Sequence, residues 1–183
     1  MSNSASEAAS EITLFGEVRC HKTRFYQAAL EERGLPYELA EVDKDEAAAE
    51  RLTALTGDAT KFPTFQIKGR KLRNPKLAEL DKRLAREGLY DPGLQHDVKQ
   101  QKFLKYMAPT DAFARYRLKN DQLVLDHMEI AGDLRGKGLG KSFAREVLQY
   151  LACQSWTVVL PCKFLQDIAR ENEIWQTTFI LGD

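Results

Sequence analysis

The stretch Arg135-Gly136-Lys137-Gly138-Leu139-Gly140-Lys141 has the composition of an anion cradle. Its alternating glycines let the backbone turn sharply, so several N–H groups can approach one anion without interference from Cβ atoms. A helix expected over residues 141–153 points its N-terminal end at the same place, where N–H groups without helical partners and the macrodipole favour negative charge. Together they read as a site for the pyrophosphate of a coenzyme. A second reactive candidate is Cys20, at the junction of a strand and a helix, where helix N-terminal N–H groups and the nearby Arg19 and Lys22 would favour its thiolate.

Two other phosphate-binding patterns fail on spacing. The triphosphate loop G-x-x-x-x-G-K-[ST] fits Gly140-Lys141-Ser142 but needs a glycine where Arg135 stands. A G-x-G-x-x-G dinucleotide loop fails because the glycines run 136, 138, 140 and the elements before them form a meander.

The elements that position these residues fall into two sets. Residues 12–15 read as a strand ended by Gly16, 23–33 as a helix closed by Gly34, 37–42 as a second strand, and 45–56 as a helix with Gly57 past its end. Residues 62–67 and 71–72 flank Lys68-Gly69-Arg70 as a hairpin. Asn74 then caps a third helix whose buried stripe is Leu77, Leu80 and Leu84. The order is β-α-β-α-β-β-α. Residues 89–100 carry Asp91-Pro92-Gly93 and no helical period, so a linker is expected there, with His96 solvated.

Beyond it, 102–107, 112–118 and 122–130 read as an antiparallel meander joined by Pro109-Thr110-Asp111 and Lys119-Asn120-Asp121. The helix over 141–153 follows, then a buried strand over 157–160 and a last helix over 164–172. Strand alternation places His127 on the face of Leu123 and Leu125. The expected organisation is a polar tail over 1–10, an α/β domain over 11–88, the linker over 89–100 and an α+β domain over 101–183.

Composition narrows the partners. Lysine plus arginine, 27 residues, balance 27 aspartates and glutamates, and they also balance on either side of residue 90, so a nucleic-acid partner is not expected. No apolar run reaches the roughly 18 residues of a membrane helix, and the first residues have neither a positive region nor an apolar core. A cytoplasmic protein with no membrane partner is expected. The three cysteines form no C-x-x-C pair and are odd in number, which argues against a disulfide framework and a zinc knuckle, and no metal site is expected.

The first half resembles the glutaredoxin branch of the thioredoxin fold over roughly residues 12–88. The residues that carry the resemblance are Ile12-Thr13-Leu14-Phe15-Gly16 before Cys20, Gly34-Leu35-Pro36-Tyr37-Glu38 after the helix, and Phe62-Pro63-Thr64 before the hairpin. It implies a cis proline at Pro63, with Phe62 and Pro63 beside a Cys20 thiol that handles glutathione or a protein disulfide. Thr23 stands where dithiol members have a second cysteine, so only a mixed-disulfide mechanism remains. Arg73-Asn74-Pro75 stands where many members carry residues that hold glutathione.

The second half resembles the GNAT acetyltransferase superfamily over about residues 101–178, and its smallest branch in particular. The resemblance rests on R-x-x-G-x-G through Arg135, Gly138 and Gly140, on Ile130 at the end of the preceding strand, on Tyr116-Arg117-Leu118, on His127-Met128-Glu129-Ile130, and on Pro161-Cys162 with Phe164. It implies that backbone N–H groups from 135 to 140 hold the pyrophosphate of acetyl-CoA with Lys141 nearby, that the strand edge at Met128 to Ile130 pairs with the pantetheine amides, and that Cys162 lies beside the acyl carbon. The branch's usual histidine in its last helix, followed by proline, glutamate and tyrosine, is replaced by Asn172-Glu173-Ile174-Trp175.

Two mechanisms follow from the resemblance. An amine, on a small molecule or a protein, attacks the thioester directly with Glu129 or a water chain taking its proton, or Cys162 first takes the acyl group and passes it on, with His127 as its base. The rival function is a thiol redox protein acting through Cys20, with the second domain binding acyl-CoA without turnover.

Overall fold

The computed structural model describes residues 10–107, 111–130, 136 and 138–182. The chain divides into two compact units, Met1–Tyr90 and Asp91–Asp183.

In the first unit, β1 (Ile12–Gly16) is followed by α1 (His21–Glu32), β2 (Glu38–Glu41), α2 (Glu46–Thr56), β3 (Thr64–Ile67), β4 (Arg70–Arg73) and α3 (Leu77–Arg86). The sheet order is β2-β1-β3-β4. β1 and β2 are parallel, as a helical crossover allows, and β3 runs antiparallel to β1 and β4. This is a thioredoxin-like α/β arrangement. Period-two alternation splits β1 between two cores: Ile12 and Leu14 meet Tyr26 and Leu30 of α1 and Leu80 and Leu84 of α3, whereas Phe15 meets Ala48 and Leu52 of α2. Burial on both faces is why the strand reads as a nearly continuous apolar run. The β3–β4 turn has Lys68 at φ 44° and Gly69 at φ 79°, the left-handed pair of a tight hairpin.

The second unit is α+β. It runs β5 (Gln95–Asp97), β6 (Lys102–Lys105), β7 (Ala112–Lys119), β8 (Gln122–Glu129), α4 (Leu139–Ala152), β9 (Thr157–Leu160), α5 (Lys163–Arg170), α6 (Glu173–Thr178) and β10 (Phe179–Leu181). The sheet order is β10-β9-β8-β7-β6-β5. β5 to β8 form the antiparallel meander, and α4 crosses over to bring β9 parallel to β8. The buried stripe of α4, Phe143, Ala144, Val147, Leu148 and Leu151, packs on the sheet with Phe103, Leu125 and Leu160.

Four expectations need correction. The stretch read as a linker contains β5, whose pairing with β6 supplies the backbone bonds that its polar sequence Gln-His-Asp does not advertise. His96 there is half-buried rather than solvated: its ring stacks on Phe103 with centroids 4.4 Å apart, and its Nε2 lies 2.9 Å from the Tyr116 hydroxyl. The helix expected last is followed by α6 and β10, because Asn172 accepts from the N–H groups of Ile174 and Trp175 and so starts a new helix. Asn74 does not cap α3; it sits at φ 43° and faces the Tyr26 hydroxyl, and Glu79 instead reaches back 2.9 Å to the N–H of Lys76. The connection at Pro109-Thr110 lies outside the described residues.

Candidate functional site

In the first unit the candidate is Cys20, the N-cap residue of α1. Its carbonyl accepts the first helical bond from the Arg24 N–H at 3.1 Å, and its own N–H donates to Glu17 O at 3.0 Å. The sulfur therefore sits over the open N-terminal turn. Its pKa is pushed below that of an ordinary thiol, chiefly by the backbone N–H of Thr23, with the Thr23 side chain and the Lys22 N–H acting the same way against burial and Glu17. Apart from its nearness to this sulfur, the fully buried Thr23 hydroxyl has no hydrogen-bond partner. The packing here is tight: a Cβ on Gly16 would stand 2.3 Å from Thr23 Oγ1. The Phe62–Pro63 peptide is cis, as the resemblance implies, and Pro63 O accepts from the Asn74 N–H at 3.1 Å.

In the second unit the candidate site forms where β8 leaves β9. The parallel pairing runs through Gln122, Leu123 and Val124 against Thr157, Val158 and Val159, and stops there. β8 nonetheless stays paired with β7 as far as Glu129 opposite Phe113. Among the described residues, the side of β8 from Leu125 to Ile130 that faces away from β7 therefore has no strand partner. A register shift in the β7–β8 ladder, with Arg115 opposite His127 and Tyr116 opposite Leu125, leaves Asp126 as an extra residue. It reverses the alternation, which corrects the expected placing of His127: His127 and Glu129 are exposed, and Met128 and Ile130 turn toward the core. His127 Nε2 lies 3.4 Å from Glu129 Oε2.

Gly138 is the N-cap of α4 at φ 76°, and Gly136 has φ 78°, a left-handed backbone that glycine adopts without Cβ strain. The first helical bond runs from Ser142 N to Gly138 O at 3.0 Å, so the N–H groups of Leu139, Gly140 and Lys141 have no partner within the helix. The Leu139 side chain packs on the core. Arg135 and Lys137, both expected at the cradle, lie outside the described residues. Gly140 marks where the elements converge: a Cβ there would meet Ile130 Cδ1 at 3.5 Å and Phe164 Cζ at 3.9 Å. The end of β8, the start of α4 and the start of α5 thus share one point. Cys162, two residues before Phe164, is the half-buried N-cap of α5 and packs on the core. It hydrogen-bonds neither His127 nor Glu129, so the thiol and its expected base are not brought together.

This geometry has a counterpart among known families. Residues 103–178 match the family model of GCN5-related N-acetyl-transferases. The match spans β6 to α6, including the parting of β8 from β9 and the glycine-capped helix. Among solved structures, a GCN5-like putative N-acetyltransferase from Staphylococcus aureus is 18% identical, covering 49% of this chain and 89% of its own, with a TM-score of 0.37. The glutaredoxin of Archaeoglobus fulgidus is 16% identical, covering 45% of this chain and 94% of its own, with a TM-score of 0.37. A mutant thioredoxin-like protein is 24% identical, covering 39% and 91%, again with a TM-score of 0.37. No curated protein sequence matches the chain.

Sequence reasoning missed Arg145 and Glu171, which stand beside the expected Lys141. A groove of about 870 Å³ runs along the outer face of α4 from Gly138 to Cys153, with Trp175 and Leu94 at its sides. Lys141 and Arg145 line it, and both bind Glu171, at 2.6 and 2.7 Å. Spacing alone would have put Lys141 and Arg145 on one helix face, but not Glu171 beside them. Among the described residues no cluster of His, Cys, Asp and Glu could hold a metal ion, and no helix is long and apolar enough to cross a membrane.

Proposed function

We propose that the second unit transfers an acyl group from acetyl-CoA to a primary amine of a small molecule or a protein. The observation that carries this reading is the open edge of β8 beyond Val124, beside a glycine-capped helix start. The residues fit the coenzyme: the N–H groups of Leu139, Gly140 and Lys141, which have no partner within the helix, would hold its pyrophosphate, approached past Gly136 and Gly138. The unpaired edge at Met128 to Ile130 would take its pantetheine amides as a strand takes a neighbour. When bound, the coenzyme supplies an acyl group activated as a thioester.

The chain's own part is to position the amine and accept its proton. Glu129 faces Nε2 of His127 and so favours the tautomer with the proton on that nitrogen, which leaves Nδ1 to take a proton from the attacking amine. Among the described residues Cys162 has no base in hydrogen-bond contact, which favours direct attack, with Cys162 lining the site. The test is release of free coenzyme A thiol from acetyl-CoA with a panel of primary amines. Glu129→Gln is expected to lower kcat about 100-fold with KM for acetyl-CoA unchanged. Absence of release by the folded wild-type chain with every amine would overturn the reading.

The lowered pKa of Cys20 supports a second activity in the first unit. Its thiolate attacks one sulfur of a glutathione or protein disulfide, forms the mixed disulfide and expels the other sulfur as a thiolate. The turn at Phe62 and Pro63 is proposed as the edge that receives this partner. Trapping a mixed disulfide at Cys20, absent in Cys20→Ser, tests it.

A further inference from the structure

The sheet of the second unit keeps its helices to one face. β8, β9 and β10 are parallel neighbours in that order, so right-handed crossovers carry α4, and then α5 and α6, to the same side. The three helices pack on one another there. Strand alternation sends the remaining side chains of β6, β7 and β8 to the other face, where Arg115, His127 and Glu129 are exposed and Leu104 and Phe113 are half-buried.

On this face the proposed base stands in a row with two cations. His127 is opposite Arg115 of β7, and Arg115 is opposite Lys102 of β6. The Phe113 ring joins them, 5.8 Å from the His127 ring and 5.4 Å from the Arg115 guanidinium carbon. Beside that ring is a groove of about 450 Å³, lined by Gln100, Lys102, Leu104, Phe113 and Arg115. Its charge is one-sided. Among the described residues no carboxylate forms an ion pair with Lys102, whose Nζ donates to Gln100 Oε1, or with Arg115, which rests on Phe113. The nearby carboxylates are engaged elsewhere: Asp97, opposite Lys102, accepts from the Gln100 N–H at 3.0 Å, and Asp126 binds Arg117 at 3.0 Å.

An acceptor whose amine reaches His127 from this side extends along the row toward these cations. The middle of the Arg115–Lys102 pair is one and a half strand spacings from His127, about 7 Å. The planar guanidinium fork matches a carboxylate, and a cation with no carboxylate to release gives up little in binding one. We propose that the acceptor is a primary amine carrying a carboxylate about 7 Å from its nitrogen. Arg115 and Lys102 hold the carboxylate, and the chain between the two groups lies on Phe113. The proposal rests on the acyl-transfer reading of the second unit and deepens it by naming the chemical class of the acceptor.

The test is release of free coenzyme A thiol from acetyl-CoA by the full chain with 6-aminohexanoate, whose extended chain spans about this distance, and with its neutral isostere 6-aminohexanamide. The wild type is expected to use the acid with a kcat/KM about tenfold or more above that of the amide. Arg115→Gln should bring that ratio close to one, through a higher KM for the acid with little change in kcat. Arg115→Lys, which keeps the charge without the fork, should retain part of the preference. The ratio compares two substrates on one chain, so a general loss of folded protein cannot imitate its collapse. Equal wild-type use of the two amines, a preference for the amide, or a preference that survives Arg115→Gln would overturn the proposal and leave acyl transfer standing. Turnover of other primary amines but of neither of these would do the same. No turnover of any amine by the folded wild type would overturn both.

Discussion

Val124 pairs with Val159, and it is the last residue of β8 to have a partner on β9. Five residues later Glu129 is still paired with Phe113 on the other side. The two strands therefore share a root and separate toward the end that carries Ile130, Gly140 and Phe164. Gly140 tests that arrangement by size. Alanine meets its neighbours at ordinary contact distances and should be neutral or stabilising, by up to about 1 kcal/mol, since glycine is a poor helix former. Gly140→Leu should press on Ile130 and Phe164, cost about 1–3 kcal/mol in denaturant unfolding, and weaken acetyl-CoA binding more than about tenfold, read by calorimetry on the folded variant.

At the other candidate site, the Cys20 thiol should titrate below an ordinary thiol, because its thiolate receives the Thr23 and Lys22 N–H groups. The rate of alkylation of Cys20 by iodoacetamide, followed against pH, should rise at lower pH than that of a short unstructured cysteine peptide. Thr23→Val keeps the backbone N–H and removes the hydroxyl, so its midpoint should move up part of the way. A Cys20 profile that overlays that of the peptide thiol would contradict the reactive-thiol account.

Packing between β1 and α1 gives a stability prediction. A Cβ on Gly16 would stand 2.3 Å from Oγ1 and 2.7 Å from Cγ2 of Thr23, which is fully buried and cannot swing away. Gly16→Ala should cost about 1–3 kcal/mol in denaturant unfolding. Adding Thr23→Ala should recover part of that loss, since the two changes share one contact.

Much of this was legible in the sequence, and the exceptions share a physical reason. The glycines at 136 and 138 announce a left-handed backbone because few other residues tolerate it. The stripe of α4 and the apolar run of β1 announce their burial through periodicity. By contrast β5 is three polar residues long, and only its pairing with β6 makes it a strand. The extra residue Asp126 changes which face His127 occupies without changing the apolar-polar rhythm that an observer reads. Glu171 meets Lys141 and Arg145 across an interval that no local pattern spans.

His96, one of the missed residues, should make the second unit sensitive to acid. Burial among Phe103, Tyr116 and Tyr150 pushes its pKa down, opposed by Asp97. The folded state then holds fewer protons than the unfolded state as the pH falls through the ordinary histidine range, so stability is full above that range and declines below it. Between about pH 7 and 5.5 the wild type should lose more stability than His96→Phe, in urea unfolding monitored by tryptophan fluorescence. Parallel pH curves would contradict this assignment.

The central claim is that the start of α4, beside the open edge of β8, is a coenzyme site. The most direct measurement is calorimetric titration of acetyl-CoA under reducing conditions into the wild type and Gly138→Asp. Gly138 caps α4 at φ 76° with no atom of the described residues within 4 Å of a Cβ, so an aspartate there has room, strains a left-handed backbone, and sets a negative charge at the helix start. The account predicts saturable binding by the wild type and its loss in the variant, with both chains folded. Wild-type binding that Gly138→Asp leaves intact, or no binding to the folded wild type, would contradict it.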